Sequence, residues 1–146
     1  MIIMCNTKRE VMQSFEQIRA KNALRDAPSI GLGNEGGRAV AKKVPALIVQ
    51  DGFLGALAFA IEKSKNGADE KNGYGNVFKA IIKHLPDVKK DFGLCETYDL
   101  QKFLDSLCLQ SPEVLRAVTD ESIAYLNYLR RFAKPGKDGE LQEDWV

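Results

Sequence analysis

Residues 111–133 read SPEVLRAVTDESIAYLNYLRRFA, and this stretch predicts a long amphipathic helix. Ser111 followed by Pro112 is typical of a helix start, with a hydroxyl at the N-cap and proline at the first helical position. The sequence 133–136 predicts its end. Thr119 could cap a new turn and interrupt the helix, so a break near 119–122 stays open. One face carries the core-forming residues at the helical period: Val114, Leu115, Val118, Ser122, Tyr125, Leu126, Leu129 and Phe132.

The opposite side of this helix is basic. Its residues are Arg116, Asp120, Asn127, Arg130 and Lys134, with Arg131 adjacent. The neighbouring pair Lys42 and Lys43 and the upstream Arg19 add cations on two other predicted helices. If these faces are coplanar, they would hold RNA phosphates without reading base sequence. The candidate RNA-binding residues are Arg19, Lys42, Lys43, Arg116, Arg130, Arg131 and Lys134. Charge alone favours the plainer interpretation, that these are solvated helix faces.

The rest of the chain also has helical periodicity. Thr7 and Glu10 form a capping-box pattern, which predicts a first helix running to about Ala27, before Pro28. A second helix is predicted over 38–49 with a kink near Pro45. A third, over 53–65, is apolar nearly all round and is therefore expected at the centre of the fold.

Two shorter helices complete the prediction. The apolar residues between 77 and 85 predict a fourth helix that ends at Pro86, and those between 100 and 108 predict a fifth. Cys108 is expected in the core as a small apolar residue. We find no convincing strand and no internal repeat. The predicted fold class is all-α, a single compact bundle of about five or six helices, with residues 1–134 forming one helical domain and 135–146 an acidic tail.

Composition is that of an ordinary globular protein. The chain has 146 residues and a net charge of +1, divided between about +4 for residues 1–134 and −3 for the tail. No run approaches the roughly 20 apolar residues of a membrane helix, and the apolar opening is too short for a signal peptide. We therefore expect a cytoplasmic protein with no membrane partner. The three cysteines are widely spaced, which indicates neither a zinc site nor a disulfide framework.

Few residues point to catalysis. His84 is the single histidine, and no patterned nucleophile accompanies it, so a structural role is favoured over a general base. A small enzyme that uses His84 stays open as an alternative. Residues 31–36 match G-x-G-x-x-G, but no strand precedes them, so they are better interpreted as a flexible connection. No metal motif or Walker loop occurs, and no cofactor is expected.

Two apolar residues are candidates for a protein interface. Ile123 falls on the polar side of the last helix, where a partner protein could cover it. Trp145 is the only tryptophan and lies in the acidic tail, where it would dock on its own domain or on a neighbour.

Two stretches resemble the small subunit of Cmr (type III-B) CRISPR complexes. Residues 116–133 follow the pattern R-x-A-T-x-E-A-L-A-[FY]-L-x-W-L-[KR]-R-F-A, and residues 42–59 follow K-K-x-P-A-x-I-x-x-N-G-L-x-x-A-L-A-F. Val118 and Ser122 replace alanine, Tyr128 replaces tryptophan, and Asp51 replaces asparagine. These departures are conservative for a helix core. Together the two stretches are specific, and they cover much of the chain in the right order.

The resemblance implies a helical, non-catalytic subunit in antiviral defence. Such subunits stack beside the backbone subunits that hold the guide RNA, and they line the groove where target RNA pairs with it. The implied partners are the other Cmr subunits, the guide RNA and the target RNA, while self-association by stacking stays open. Cleavage of target RNA belongs to another subunit. The alternative is an assembly subunit that contacts only proteins.

Overall fold

The computed structural model describes residues 13–30, 37–66, 73–92 and 99–134 of the chain. No strand occurs in these ranges, and the helices pack together, which confirms the predicted all-α bundle. The α-helices are α1 (Phe15–Asp26), α2 (Gly37–Ser64), α3 (Tyr74–Val88), α4 (Leu100–Cys108) and α5 (Pro112–Phe132). Short 3-10 turns follow α1 at Ala27–Ser29 and α3 at Lys90–Phe92. The glycine-rich stretch 31–36 and the tail beyond 134 lie outside the described residues.

Helix α5 is continuous from Pro112 to Phe132. The Ser111 hydroxyl accepts a hydrogen bond from the Val114 amide at 3.3 Å, as an N-cap should. Thr119 starts no new turn, because its hydroxyl donates to the Leu115 carbonyl at 2.7 Å within the same helix. The middle of the predicted apolar face is buried, whereas Phe132 at its end remains 38% exposed.

Helix α1 begins later than its predicted capping box. Ser14 has extended backbone angles, and a reciprocal pair of hydrogen bonds with Gln17 forms a capping box there. A helix running unbroken from Thr7 is therefore wrong, although Thr7 and Glu10 themselves lie outside the described residues. The helix begins after Ser14, whose backbone is extended. It ends at Asp26, which agrees with the predicted end at about Ala27.

Helix α2 contains both of the helices predicted over 38–49 and 53–65. They are joined across Gly52, whose φ of 84° and ψ of 162° lie outside the helical region. The kink is at Gly52 and not near Pro45, where the backbone angles stay helical. The angles at Gly52 belong to a region that only glycine occupies readily, so this residue sets the junction.

Two local predictions are corrected. Helix α3 continues through Pro86 to Val88. Pro86 has no amide hydrogen to donate, but the Lys89 amide again donates to a helical carbonyl, that of Leu85, at 3.2 Å. Cys108 is exposed and not in the core. It follows the buried Leu107 by one residue, a rotation of about 100° that turns it away from the core face.

The core lies where α2 and α3 meet α5. Phe53 of α2 packs edge-to-face against Phe78 of α3 and Phe103 of α4, with ring centroids 5.7 and 6.2 Å apart. The second half of α2 is central, as predicted, since Phe53, Leu57 and its buried alanines join this cluster. Helix α5 packs chiefly against α1 and α2. Its basic side is thereby left at the surface of the bundle.

One described helix, α2, is long and apolar enough to cross a membrane by those two measures alone. Core helices of globular proteins pass the same test. Both halves of α2 contribute buried residues to the core, and Gly52 interrupts the helix between them. Length and composition are therefore weak evidence for a membrane span here.

Candidate nucleic-acid interface

A buried carboxylate fixes the first of the predicted RNA-binding residues. Arg19 Nε and Nη2 donate to the two carboxylate oxygens of Glu121 at 2.8 and 2.7 Å. The Glu121 side chain is 7% exposed and that of Arg19 is 23% exposed. Two parallel bonds hold the guanidinium plane in one orientation. Arg19 is therefore a fixed group, with its charge balanced by Glu121.

His84 lies behind this ion pair and is fully buried. Its Nε2 is 2.9 Å from Glu121 Oε2, and its Nδ1 is 2.9 Å from Asn22 Nδ2. The Asn22 amide nitrogen also donates to Asp87 at 3.0 Å, which orients the amide. His84 Nδ1 is then an acceptor, and the ring proton sits on Nε2 facing Glu121. The imidazole is stacked on Tyr125, with centroids 4.3 Å apart.

This arrangement favours the structural role for His84. Both ring nitrogens have partners, and solvent does not reach the side chain. A general base must come within hydrogen-bond reach of the substrate proton that it takes. The enzyme alternative based on His84 therefore gains no support from the site's geometry.

The ion pair changes the ionisation of its members. Burial opposes the charged form of Glu121, but the hydrogen bonds from Arg19 and His84 outweigh it and lower the pKa of Glu121. The hydrogen bond to Glu121 raises the pKa of Arg19. Both groups are therefore charged at neutral pH.

A second buried carboxylate, Asp26, ties α1 to α5. Tyr125 donates its hydroxyl hydrogen to Asp26 Oδ2 at 2.7 Å, and Arg25 forms two bonds with the same carboxylate at 2.9 and 3.0 Å. Burial, followed by the negative charge of Asp26, raises the pKa of Tyr125. Together with the Glu121 pair, this contact fixes α1 against α5, which carries three of the seven predicted RNA-binding residues.

An open cavity of about 390 Å³ lies between α1 and α5. Its lining consists of Arg19, Ala124, Asn127, Tyr128, Arg130 and Arg131. Tyr128 is held at the wall by a hydrogen bond from its hydroxyl to Glu16 Oε2 at 3.1 Å. Three of the seven predicted RNA-binding residues thus meet at one cavity.

The other predicted cations lie outside this cavity. Arg116 is exposed near the start of α5, and Lys42 and Lys43 are exposed on the first half of α2. Lys134 is exposed just after α5. These four residues do not line the cavity.

Backbone contacts join the end of α5 to the start of α2. The Arg38 amide donates to the Lys134 carbonyl at 3.0 Å, and Arg38 Nε donates to the Ala133 carbonyl at 3.0 Å. Lys42 follows Arg38 by one helical turn. The junction therefore brings the basic residues of α2 near the basic end of α5.

One of the two interface candidates lies within the described residues. Ile123 is half-buried and packs against the core cluster, so only part of its side chain is available to a partner. Trp145 lies outside the described residues.

Sequence reasoning missed Glu121 as an organising residue. The sequence leaves a helix break near 119–122 open, which would put this acid at a helix start, but α5 is continuous there. A signal was present: Glu121 lies between Val118 and Tyr125 on the apolar stripe, three and four residues away. An acid at such a position needs a buried partner.

Among the described residues, no group of three or more His, Cys, Asp or Glu side chains is placed to hold a metal ion. The fold and site define a small protein that is helical throughout its described elements and in which three arginines meet at a surface cavity.

The family described as CRISPR-associated protein (Cas_Cmr5) matches residues 15–135, and the chain belongs to this family. Membership implies association with the other subunits of a CRISPR Cmr complex and agrees with the resemblance of residues 42–59 and 116–133. No curated protein and no solved structure gave a match.

Proposed function

We propose that this protein is the non-catalytic small subunit of a type III-B effector complex, which scaffolds the complex and contacts guide and target RNA through its basic surface. The observation that carries the proposal is the convergence of Arg19, Arg130 and Arg131 on one cavity. These three residues come from two helices that are far apart in sequence. The complex would act in the cytoplasm, where it meets invader RNA.

Charge supports phosphate contact at this surface. Within the described part of the chain, Arg130 and Arg131 have no ion-pair partner. An unpaired guanidinium binds phosphate without first giving up an internal carboxylate. About three to five such contacts give binding that is weak alone and sensitive to salt. The remaining affinity would come from the neighbouring subunits.

The family and the geometry of His84 support a role without catalysis. The only histidine is sealed in the core by Asn22, Glu121 and Tyr125. Target cleavage would then belong to another subunit of the complex, as the resemblance implies.

A protein-only assembly role is the second candidate, and one observation favours it. Only 33% of the most apolar window of α2 is buried. Val49 is 76% exposed there, and Ala46 and Ala58 are also exposed. An apolar helix face of this kind suits a neighbouring subunit or a stacked second copy. Ile123 and Trp145 remain the other interface candidates.

The test uses the assembled complex. Reversing Lys42 and Lys43 to glutamate should weaken capture of target RNA while the complex still assembles. Lys102→Glu, an exposed change on α4, is the matched control. Unchanged capture would contradict RNA contact through these lysines.

A separate variant tests the assembly candidate. Val49→Asp adds a charge at an exposed position and should leave the folded subunit intact. Loss of the subunit from the purified complex would support a protein interface on α2. Retention of the subunit would argue against this interface.

A further inference from the structure

We propose that the cavity between α1 and α5 binds one unstacked nucleotide of single-stranded RNA, with its base against the Arg19 and Tyr128 planes and its phosphate on Arg130 and Arg131. This inference rests on the proposed RNA contact and specifies its ligand. A phosphate-only surface would need cations alone, whereas this cavity combines cations with fixed planar groups.

The planar groups are already ordered. Glu121 holds the Arg19 guanidinium through two bonds, and Glu16 holds the Tyr128 hydroxyl. Glu121 balances the charge of Arg19, and one face of the guanidinium lies over the Phe15 ring, with Cζ 5.7 Å from the ring centroid. The guanidinium therefore offers mainly its other face as a flat surface. Bases stack on both tyrosine rings and guanidinium planes, and they do so without regard to sequence.

The remaining lining residues suit the other parts of a nucleotide. Arg130 and Arg131 are free of ion pairs within the described residues and can neutralise a phosphate. Asn127 is exposed and offers an amide donor and an acceptor to a base edge. The two nearby carboxylates, Glu16 and Glu121, are occupied by Tyr128 and Arg19.

Size limits what can enter. A cavity of about 390 Å³ lies at the small end of the range for small-molecule sites. It has room for one nucleotide and not for a segment of duplex. The base must therefore come from single-stranded RNA, in which bases are free to leave the stack.

The test compares two RNAs on the full-length protein by fluorescence anisotropy. One is a labelled single-stranded oligoribonucleotide, and the other has the same length and ribose-phosphate backbone but lacks bases. We expect the complete RNA to bind about five-fold more tightly or better at the same salt concentration, because stacking needs a base.

Two variants test whether the preference for the complete RNA over the RNA without bases arises at the cavity. Tyr128→Leu should abolish it, whereas Tyr74→Leu, which removes a half-buried ring outside the cavity, should keep it. Both variants are first checked for folding by circular dichroism. If Tyr128→Leu does not fold, photo-crosslinking of an RNA containing 5-iodouridine to the wild-type protein replaces it, and the crosslink should map to Tyr128.

The experiment distinguishes failure of the proposed nucleotide pocket from failure of the proposed RNA contact. Equal binding of the two RNAs, or a crosslink that maps away from the cavity, would overturn the nucleotide pocket and leave phosphate contact standing. Failure of both RNAs to bind at low salt would overturn the RNA contact itself and the pocket with it.

Discussion

Glu121 joins the core of the bundle to its basic surface. On one side its carboxylate accepts from Arg19 at the cavity, and on the other it meets His84 in the core. A buried charge is tolerated only when donors such as these replace water. Loss of Glu121 would leave Arg19 and His84 without their shared acceptor.

Replacing Glu121 by glutamine should lower the free energy of unfolding by about 2–3 kcal/mol at pH 7, since charged hydrogen bonds are lost. The pKa of Glu121 is lowered by folding, so this stabilisation is full above the unfolded pKa of about 4.3 and is lost as pH falls through the folded value. The difference between wild type and Glu121→Gln should therefore shrink below about pH 4. Urea denaturation across pH measures it.

Asp120→Asn is the matched control, because it changes an exposed acid at the preceding position of α5. Its effect should stay within about 0.5 kcal/mol. A Glu121→Gln effect as small as that of Asp120→Asn would contradict the buried pair. A difference that stayed constant down to pH 3 would contradict its charge dependence.

Tyr125→Phe should destabilise the protein by about 1.5–2 kcal/mol, because it removes a buried hydrogen bond to the charged Asp26. Tyr128→Phe removes an exposed bond to Glu16 and should cost less than about 0.5 kcal/mol. Unfolding free energies of the two variants are compared directly. Equal losses would mean that the Asp26 contact contributes no more than a surface bond.

At the scale of the element, Gly52 determines the shape of α2. Its backbone angles separate two halves that both contribute to the core. Arg38 in the first half contacts the end of α5, and Phe53 in the second half packs against Phe78. The junction therefore matters to both the surface and the core.

Gly52→Ala should lower the free energy of unfolding by about 1–3 kcal/mol. The reason is backbone strain, because a Cβ at this position would have no heavy atom within 4 Å to clash with. Thermal or urea unfolding followed by circular dichroism measures the loss. An unchanged stability would show that the junction does not require the glycine-specific angles.

At the scale of the whole molecule, the predicted RNA-binding residues come from three helices. Arg19 comes from α1, Lys42 and Lys43 come from α2, and the remaining cations lie on or just after α5. Net charge is only +1, so any attraction for RNA is local. The affinity for RNA should therefore depend on how many of these cations contact the same RNA strand.

The salt dependence of RNA affinity measures the number of contacts between these cations and phosphates. Each phosphate contact to a single strand contributes about 0.7 to the slope of log affinity against log salt concentration. Changing Lys42 and Lys43 together to alanine should lower the magnitude of the slope by about 1.4 if both bind phosphate. Lys102→Ala should leave it unchanged. An unaltered slope in the double variant would remove these lysines from the RNA surface.

The sequence by itself determined the class of the fold and the identity of the family. Periodicity of apolar residues in 111–133 gave α5, and the predicted break between the helices over 38–49 and 53–65 agrees with the junction at Gly52. These features are local, because a helix closes its hydrogen bonds within a few residues. For the same reason the basic side of α5 could be derived before its neighbours were known.

Only the tertiary structure decided how Arg19 is paired and which of the basic residues meet at the cavity. Arg19 and Glu121 are far apart in the chain, so no local sequence pattern predicts their ion pair. The same holds for His84, whose partners lie on α1 and α5. The exposure of Cys108 likewise depended on which face of its helix meets the core. Side-chain burial and long-range pairing arise when helices meet, and a single sequence does not fix which faces come together.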